Sequence, residues 1–190
     1  MGLDITAISQ MKSLKSPPGV ELWSDEFYDW EEEQGGNIWN TGQNQHFPAQ
    51  SEGVPGGLVQ GLGDTFQFRA GSYSGYGEWR DDLARAMGNE SGARGMWTSI
   101  DNGGTNDKPF QELINFSDAD GLIGPIVSQK LYEDFVSYES EIEKAIDWWY
   151  LKMDEHKEYN TDDVKWFKQK YSDWKHAFDV ARQNGMVIFH

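Results

Sequence analysis

Pro109-Phe110-Gln111-Glu112-Leu113-Ile114-Asn115-Phe116 runs into Ser117-Asp118-Ala119-Asp120-Gly121 and then into Leu122-Ile123-Gly124-Pro125. An apolar segment leads into an acidic turn and then a Gly-Pro stop. This stretch divides the chain. Before it the sequence is Gly-rich with short alternating segments, and after it apolar residues recur at helical spacing. Turn-rich flanks favour a strand for Phe110 to Phe116, although Glu112 and Leu113 are helix formers.

C-terminal to this point, Ser128 is read as a helix cap. Leu131, Phe135, Tyr138, Ile142, Ala145 and Trp149 follow alternating spacings of four and three. They predict one apolar stripe on a continuous helix of about 28 residues. A turn at His156 to Asn160 follows. Thr161 caps a second helix, with Asp162 and Asp163 complementing its dipole. There Val164, Phe167, Tyr171, Trp174, Phe178 and Ala181 repeat the spacing until Asn184-Gly185. Two matched stripes joined by a short turn predict an antiparallel helical hairpin. Met186-Val187-Ile188-Phe189 reads as a strand returning to a sheet. Trp148, Trp149 and Tyr150 are adjacent, and neighbouring positions do not share a helix face, so at least one falls outside the stripe.

N-terminal to it, Leu3, Ile5 and Ala7 alternate with Asp4 and Thr6, a strand with one polar face. Val20 to Trp23 reads as a second short strand, Ser24 as the cap of a helix carrying Phe27, Tyr28 and Trp30, and Glu31 to Glu33 as a solvated edge. Gln34 to Asp64 shows no lasting period and reads as a long loop pinned by Trp39, His46 and Phe47. Thr65 to Ala70 is a strand, Gly71 to Gly77 a tight loop, and Glu78 to Met87 a short helix with Trp79, Leu83 and Met87 on one face and Gly88 as its stop. Met96 to Ile100 reads as a strand. The predicted fold is α+β: one domain over 1–190, with a small, mostly antiparallel sheet and a Gly-rich loop region in 1–127. The helical hairpin over 128–185 packs on that sheet, and a strand returns to it at 186–190.

The formal net charge is −16 and the sequence pI about 4.5. Such a field repels nucleic-acid backbones and anionic membranes, so direct binding to either is not expected, and it attracts basic partners. There is no cysteine, which removes disulfides, thiolate nucleophiles and thiolate metal sites and suits a reducing, cytoplasmic setting. No apolar run approaches the roughly 20 residues of a membrane span, and the N-terminus does not read as a signal peptide. His46, His156, His176 and His190 lack metal-ligand spacing, and no nucleophile elbow is present. No metal, cofactor or catalytic residue is called for.

The segment Ser72-Tyr73-Ser74-Gly75-Tyr76, lying between a strand and a helix, is the candidate site. Backbone amides and hydroxyls at a helix start can hold an anion. Arg80 can clamp a phosphate or carboxylate, and Tyr73, Tyr76 and Trp79 can stack on a base. The bland alternative makes the aromatics core and gives Arg80 a nearby acidic partner. Asp118 and Asp120 with Gly121 look like a fragment of a calcium loop, but the twelve-residue pattern is incomplete, and a carboxylate turn is the commoner meaning.

Three segments taken together resemble an uncharacterised protein family of bacteria and their phages. They are Met1-Gly2-Leu3-Asp4-Ile5; Ala70 to Tyr76 with Trp79-Arg80; and Pro109-Phe110 with Glu112 to Asp118, Gly121, Ile123 and Gly124. The resemblance implies a bacterial or prophage origin, a meeting of the three segments in space, and a position for Asp118 facing Arg80. It implies no activity. Three functions fit. The first is a non-enzymatic protein that binds a small anionic ligand, such as a nucleotide signal of host defence. The second is an acidic protein that inhibits a host enzyme by occupying a basic, nucleic-acid-binding surface. The third is a small hydrolase; the residues weigh against catalysis. The oligomeric state is left open.

Overall fold

A computed structural model describes residues 2–41, 48–101, 108–115, 121–153 and 161–190. It is α+β, as the sequence predicts. Four antiparallel strands form the larger sheet: β1 (Gly2–Ile8), β5 (Thr65–Ser72), β6 (Gly121–Ile123) and β7 (Met186–Phe189), in the order β5-β1-β7-β6. A second antiparallel sheet comprises β2 (Met11–Leu14), β3 (Ile38–Thr41) and β4 (Gly57–Gly61), in the order β2-β4-β3. The chain passes from β1 to β2 through Ser9 and Gln10, and Gln10 has a φ of 54° that redirects it into the second sheet.

Side-chain alternation makes the larger sheet the middle layer. Leu3, Ile5 and Ala7 of β1, with Val187 and Phe189 of β7, face the helices. Ile8, Met186 and Leu122 point the other way and pack on Val59 of β4. The expected polar face of β1 is therefore covered in part. Thr6 is buried, and its hydroxyl lies 3.0 Å from His190 Nε2. Just before β7 the chain runs so close to β1 that a Cβ on Gly185 would collide with the Ile8 carbonyl.

The helices are α1 (Asp25–Glu33), α2 (Tyr73–Ala86), α3 (Gly92–Asp101), α4 (Gln111–Ile114), α5 (Pro125–Ser137), α6 (Glu139–Met153) and α7 (Thr161–Ala181). The hairpin is antiparallel. Tyr171 Oη donates to the Phe135 carbonyl at 2.7 Å, Lys175 pairs with Glu139 at 2.6 Å, and Lys168 pairs with Asp147 at 2.9 Å. On α7, Phe167, Tyr171, Trp174, Phe178 and Ala181 are buried, as their spacing predicts. Trp148 lies outside the stripe and is exposed.

Several local expectations are corrected. The 28-residue helix is broken at Tyr138, which has ψ near 3°. The buried stripe then continues through Ile142 and Ile146 rather than Ala145. Ser128 is not a cap: Gly124 is the N-cap, Pro125 opens the helix and Ser128 is buried inside it, as proline at the first position favours. Gly121, expected at the end of the acidic turn, instead opens the short strand 121–123, which the sequence pattern did not indicate. Phe110 to Asn115 is not a strand, and Phe116 lies outside the described residues. Phe110 has a φ of 59°, its N–H donates to the Asp134 carboxylate at 2.9 Å, and the chain makes one helical turn, α4.

Met96 to Ile100 is helical because α3 starts at Gly92, where the Asp81 carboxylate accepts the Ala93 N–H at 2.9 Å. Val20 to Trp23 is turn, not strand, although Ser24 does cap α1 by accepting the Phe27 N–H at 3.2 Å. Glu31 to Glu33 form the last turn of α1, where Glu32 and Glu33 are exposed as expected of a solvated edge, while the Glu31 carboxylate accepts the Ile38 N–H. The long unpatterned region holds β3, a 3-10 turn at Pro48–Ser51 and β4. His46, Phe47 and the turn from His156 to Asn160 lie outside the described residues.

Candidate functional site

The expected loop at Gly71 to Gly77 does not form. Strand β5 runs through Ser72, and α2 begins at Tyr73 with no residue between them. Ser72 is the N-cap: its hydroxyl accepts the Gly75 N–H at 3.0 Å and lies 3.0 Å from the Ser74 hydroxyl. The cap thus uses one of the amides that an anion would need. Ser72 and Ser74 are exposed, and Tyr73 and Gly75 are half-buried. Gly71, at a φ of 128°, sits beneath Trp166 of α7; a Cβ there would lie 3.4 Å from the indole.

The other expected ligand residues point inward. Tyr76 and Trp79 are fully buried. The Tyr76 ring lies 5.5 Å from Trp174, and Trp79 stacks on Phe167 at 5.7 Å and on Trp174 at 6.1 Å. The Trp79 indole N–H donates to the Phe167 carbonyl at 3.3 Å. These two rings are core, which corrects their expected role as stacking surfaces for a base.

Arg80 is only 7% exposed. It lies in the third turn of α2, not the first. Its guanidinium carbon stands 4.5 Å over the Tyr76 ring, and Nη1 donates to the Ile114 carbonyl at 3.2 Å. The Tyr76 hydroxyl reaches the Leu113 carbonyl at 3.5 Å. Both side chains therefore serve the carbonyls at the C-terminal end of α4, where helical carbonyls lack intrahelical partners and a cation is favoured. Asp118 and Asp120 lie outside the described residues.

The three segments singled out in the sequence do meet. Leu3 pairs with Gly71 in the β1–β5 ladder, Tyr76 touches Leu113, and Arg80 touches Ile114.

Two clefts flank the C-terminal half of α2. One, of about 300 Å³, is lined by Arg85, Ala86, Glu90, Ala145, Ile146 and Trp148. The other, of about 350 Å³, lies between Ala84, Met87, Asn89, Met96, Lys108 and Pro109, among others. Neither is lined by the residues from Ser72 to Arg80. Among the described residues no cluster of His, Asp or Glu could hold a metal, and no helix is long and apolar enough to cross a membrane.

A different surface stands out around α1. Between Lys15 and Arg69 the sequence has no lysine or arginine, while Glu21, Asp25, Glu26, Asp29, Glu31, Glu32 and Glu33 crowd one short segment. Phe27 is the only buried residue of α1 and packs with Ile38 and Leu58 of the second sheet. Leu22, Trp23 (50% exposed) and Tyr28 (51% exposed) remain outside. Trp23 has a φ of 69°, a left-handed conformation that costs a bulky residue of order 1–3 kcal/mol. Its ring meets Phe27 edge-on at 5.2 Å and lies 6.5 Å from Tyr28. Reading Val20 to Trp23 as a strand hid this surface. The long gap between cations was the signal that could have revealed it. Comparison with models of protein families, with curated protein sequences and with solved structures gives no match for this chain.

Proposed function

We propose that the protein is a non-enzymatic interaction module that binds a basic surface of another protein. The observation that carries this reading is the cation-free run from Lys15 to Arg69, folded around a surface that exposes carboxylates beside aromatic rings. A surface of one sign raises the local concentration of partners of the other sign and speeds encounter. A partner whose basic face ordinarily carries a nucleic-acid backbone fits, because a dense row of carboxylates competes for the same cations. In a bacterial or phage setting this amounts to inhibition of a nucleic-acid-binding host protein.

The small-anion reading is favoured less. Arg80 and the two rings expected to grip the ligand are engaged in the core, and the Ser72 hydroxyl already occupies an amide of α2. The test is a titration of the full chain into fluorescein-labelled oligo-arginine, read by anisotropy at low and physiological salt, beside a thermal-shift screen with nucleotides. Binding that weakens with salt is expected, with no nucleotide-dependent shift. A nucleotide shift of several degrees without peptide binding would restore the small-anion reading, since a ligand at 100 times its Kd adds about 2.7 kcal/mol.

A further inference from the structure

We infer that Trp23 and Tyr28, with the carboxylates beside them, form a docking surface for an arginine-bearing segment of the basic partner; this inference rests on the reading above. The rings are held rather than loose. Trp23 and Tyr28 both meet the buried Phe27 edge-on, at 5.2 and 6.1 Å, and they lie 6.5 Å from each other at 44°. Phe27 anchors the pair from below, and the outer rings are half exposed. Exposed aromatics on such a base present contact area with little rotamer freedom left to lose.

The backbone points the same way. Trp23 keeps its ring outside although its own φ favours glycine. Asp25 and Glu32 stand three residues before and four after Tyr28, on its face of α1, and both are exposed.

Charge selects the occupant. A second copy of the chain would bring another −16 to an anionic surface, and anionic lipid or nucleic acid is repelled likewise. Arginine meets both features at once: its planar guanidinium stacks on indole and phenol rings while its fork of N–H groups pairs with a carboxylate. Lysine pairs with the carboxylate but lacks the plane.

The experiment uses the full chain with fluorescein-labelled oligo-arginine and oligo-lysine peptides of equal length, read by anisotropy. Oligo-arginine is expected to bind several-fold more tightly than oligo-lysine. Trp23→Gly and Tyr28→Ala should each weaken oligo-arginine binding about fivefold, within the range of one exposed cation–π contact. Their Tm values should stay within a few degrees of the parent, because glycine suits the left-handed backbone that tryptophan strains. Asp25→Asn combined with Glu32→Gln should weaken binding, whereas Glu141→Gln combined with Glu143→Gln, which removes as much charge from exposed positions of α6, should not. Undiminished binding by Trp23→Gly, equal affinity for the two peptides, or equal loss from the α6 variant would overturn the docking surface while leaving an acidic interaction protein. Failure of the parent chain to bind either peptide would remove both readings.

Discussion

The helical half and the α1 unit are both acidic, but they handle their charge in opposite ways. On the helices, carboxylates are interleaved with cations. Lys130 lies between Glu112 and Asp134, Lys170 pairs with Asp173, Lys175 with Glu139 and Arg182 with Asp179. These pairs cover one continuous core that runs from Leu3 through Trp174 to Phe189. Around α1 the buried cluster is Phe27, Ile38 and Leu58, three aromatic or aliphatic side chains remain outside, and no lysine or arginine occurs between Lys15 and Arg69. The difference separates what stabilises the fold from the surface proposed above for docking. The first region balances charge over a deep core. The second leaves charge and aromatic area uncovered, which adds little to folding and favours contact.

The strongest way to break this division is to remove β7. That strand hydrogen-bonds to β1 on one side and β6 on the other, and its two faces reach both the helices and the second sheet. Deleting Met186 to His190 should abolish cooperative folding of the whole chain, seen as loss of the thermal transition in circular dichroism. A truncated protein that melts at the parent temperature would show that the core does not depend on its central strand.

Next in size is Trp174→Ala, set against Phe27→Ala. Trp174 is fully buried and meets the rings of Phe68, Tyr76, Trp79, Phe178 and Phe189. Its truncation should cost roughly 3–5 kcal/mol in urea unfolding, the range for buried aromatics. Phe27→Ala should instead loosen the α1 unit locally. Hydrogen exchange should rise around 25–33 while the amides of β1 stay protected. Equal global loss from both would merge the two regions into one cooperative unit.

Arg80→Ala comes third, at roughly 2–3 kcal/mol. A hydrogen bond from a charged donor is worth about that much, and the buried Ile114 carbonyl would lose it. Peptide binding should be unchanged. Loss of binding with full stability would return Arg80 to a ligand site.

These expectations show what the sequence made legible. The α7 stripe could be read because five of its positions meet one core at strict helical spacing, and β1, β5 and β7 could be read from alternation. Elements set by distant partners could not. Phe110 enters α4 through a carboxylate 24 residues away, on Asp134, and α3 takes its first cap from Asp81. The strands of the second sheet run four or five residues and owe their form to pairing rather than pattern. The candidate site failed at a local ambiguity. Glycines at 71, 75 and 77 suggest a loop, yet the Ser72 hydroxyl starts a helix there, which turns Tyr76, Trp79 and Arg80 inward. The surface at Trp23 was hidden for a similar reason: the short apolar run of Val20, Leu22 and Trp23 imitates a strand, while a positive φ at Trp23 makes it a turn.

The smallest effect tests how burial, together with the acidic neighbours, holds one proton on the balanced side. Tyr171 is buried against α5, donates to the Phe135 carbonyl at 2.7 Å, and has its phenol pKa raised by burial and by Glu139, Glu143 and Asp134. In the unfolded chain a tyrosine loses its proton near pH 10. The folded state holds that proton longer, so it binds more protons than the unfolded state above that pH. Stability from this group is therefore complete below about pH 10 and falls as pH rises further, by up to about 1.4 kcal/mol per pH unit. Tyr171→Phe should cost about 1 kcal/mol at neutral pH, for the lost hydrogen bond. It should also remove this alkaline slope, so that the difference between variant and parent shrinks and then reverses as pH climbs above 10. Taking the difference cancels the lysines and other tyrosines that titrate in the same range. A gap that stays constant from pH 8 to pH 11 would mean that the phenol ionises as readily folded as unfolded, and that neither burial nor the neighbouring carboxylates hold its proton.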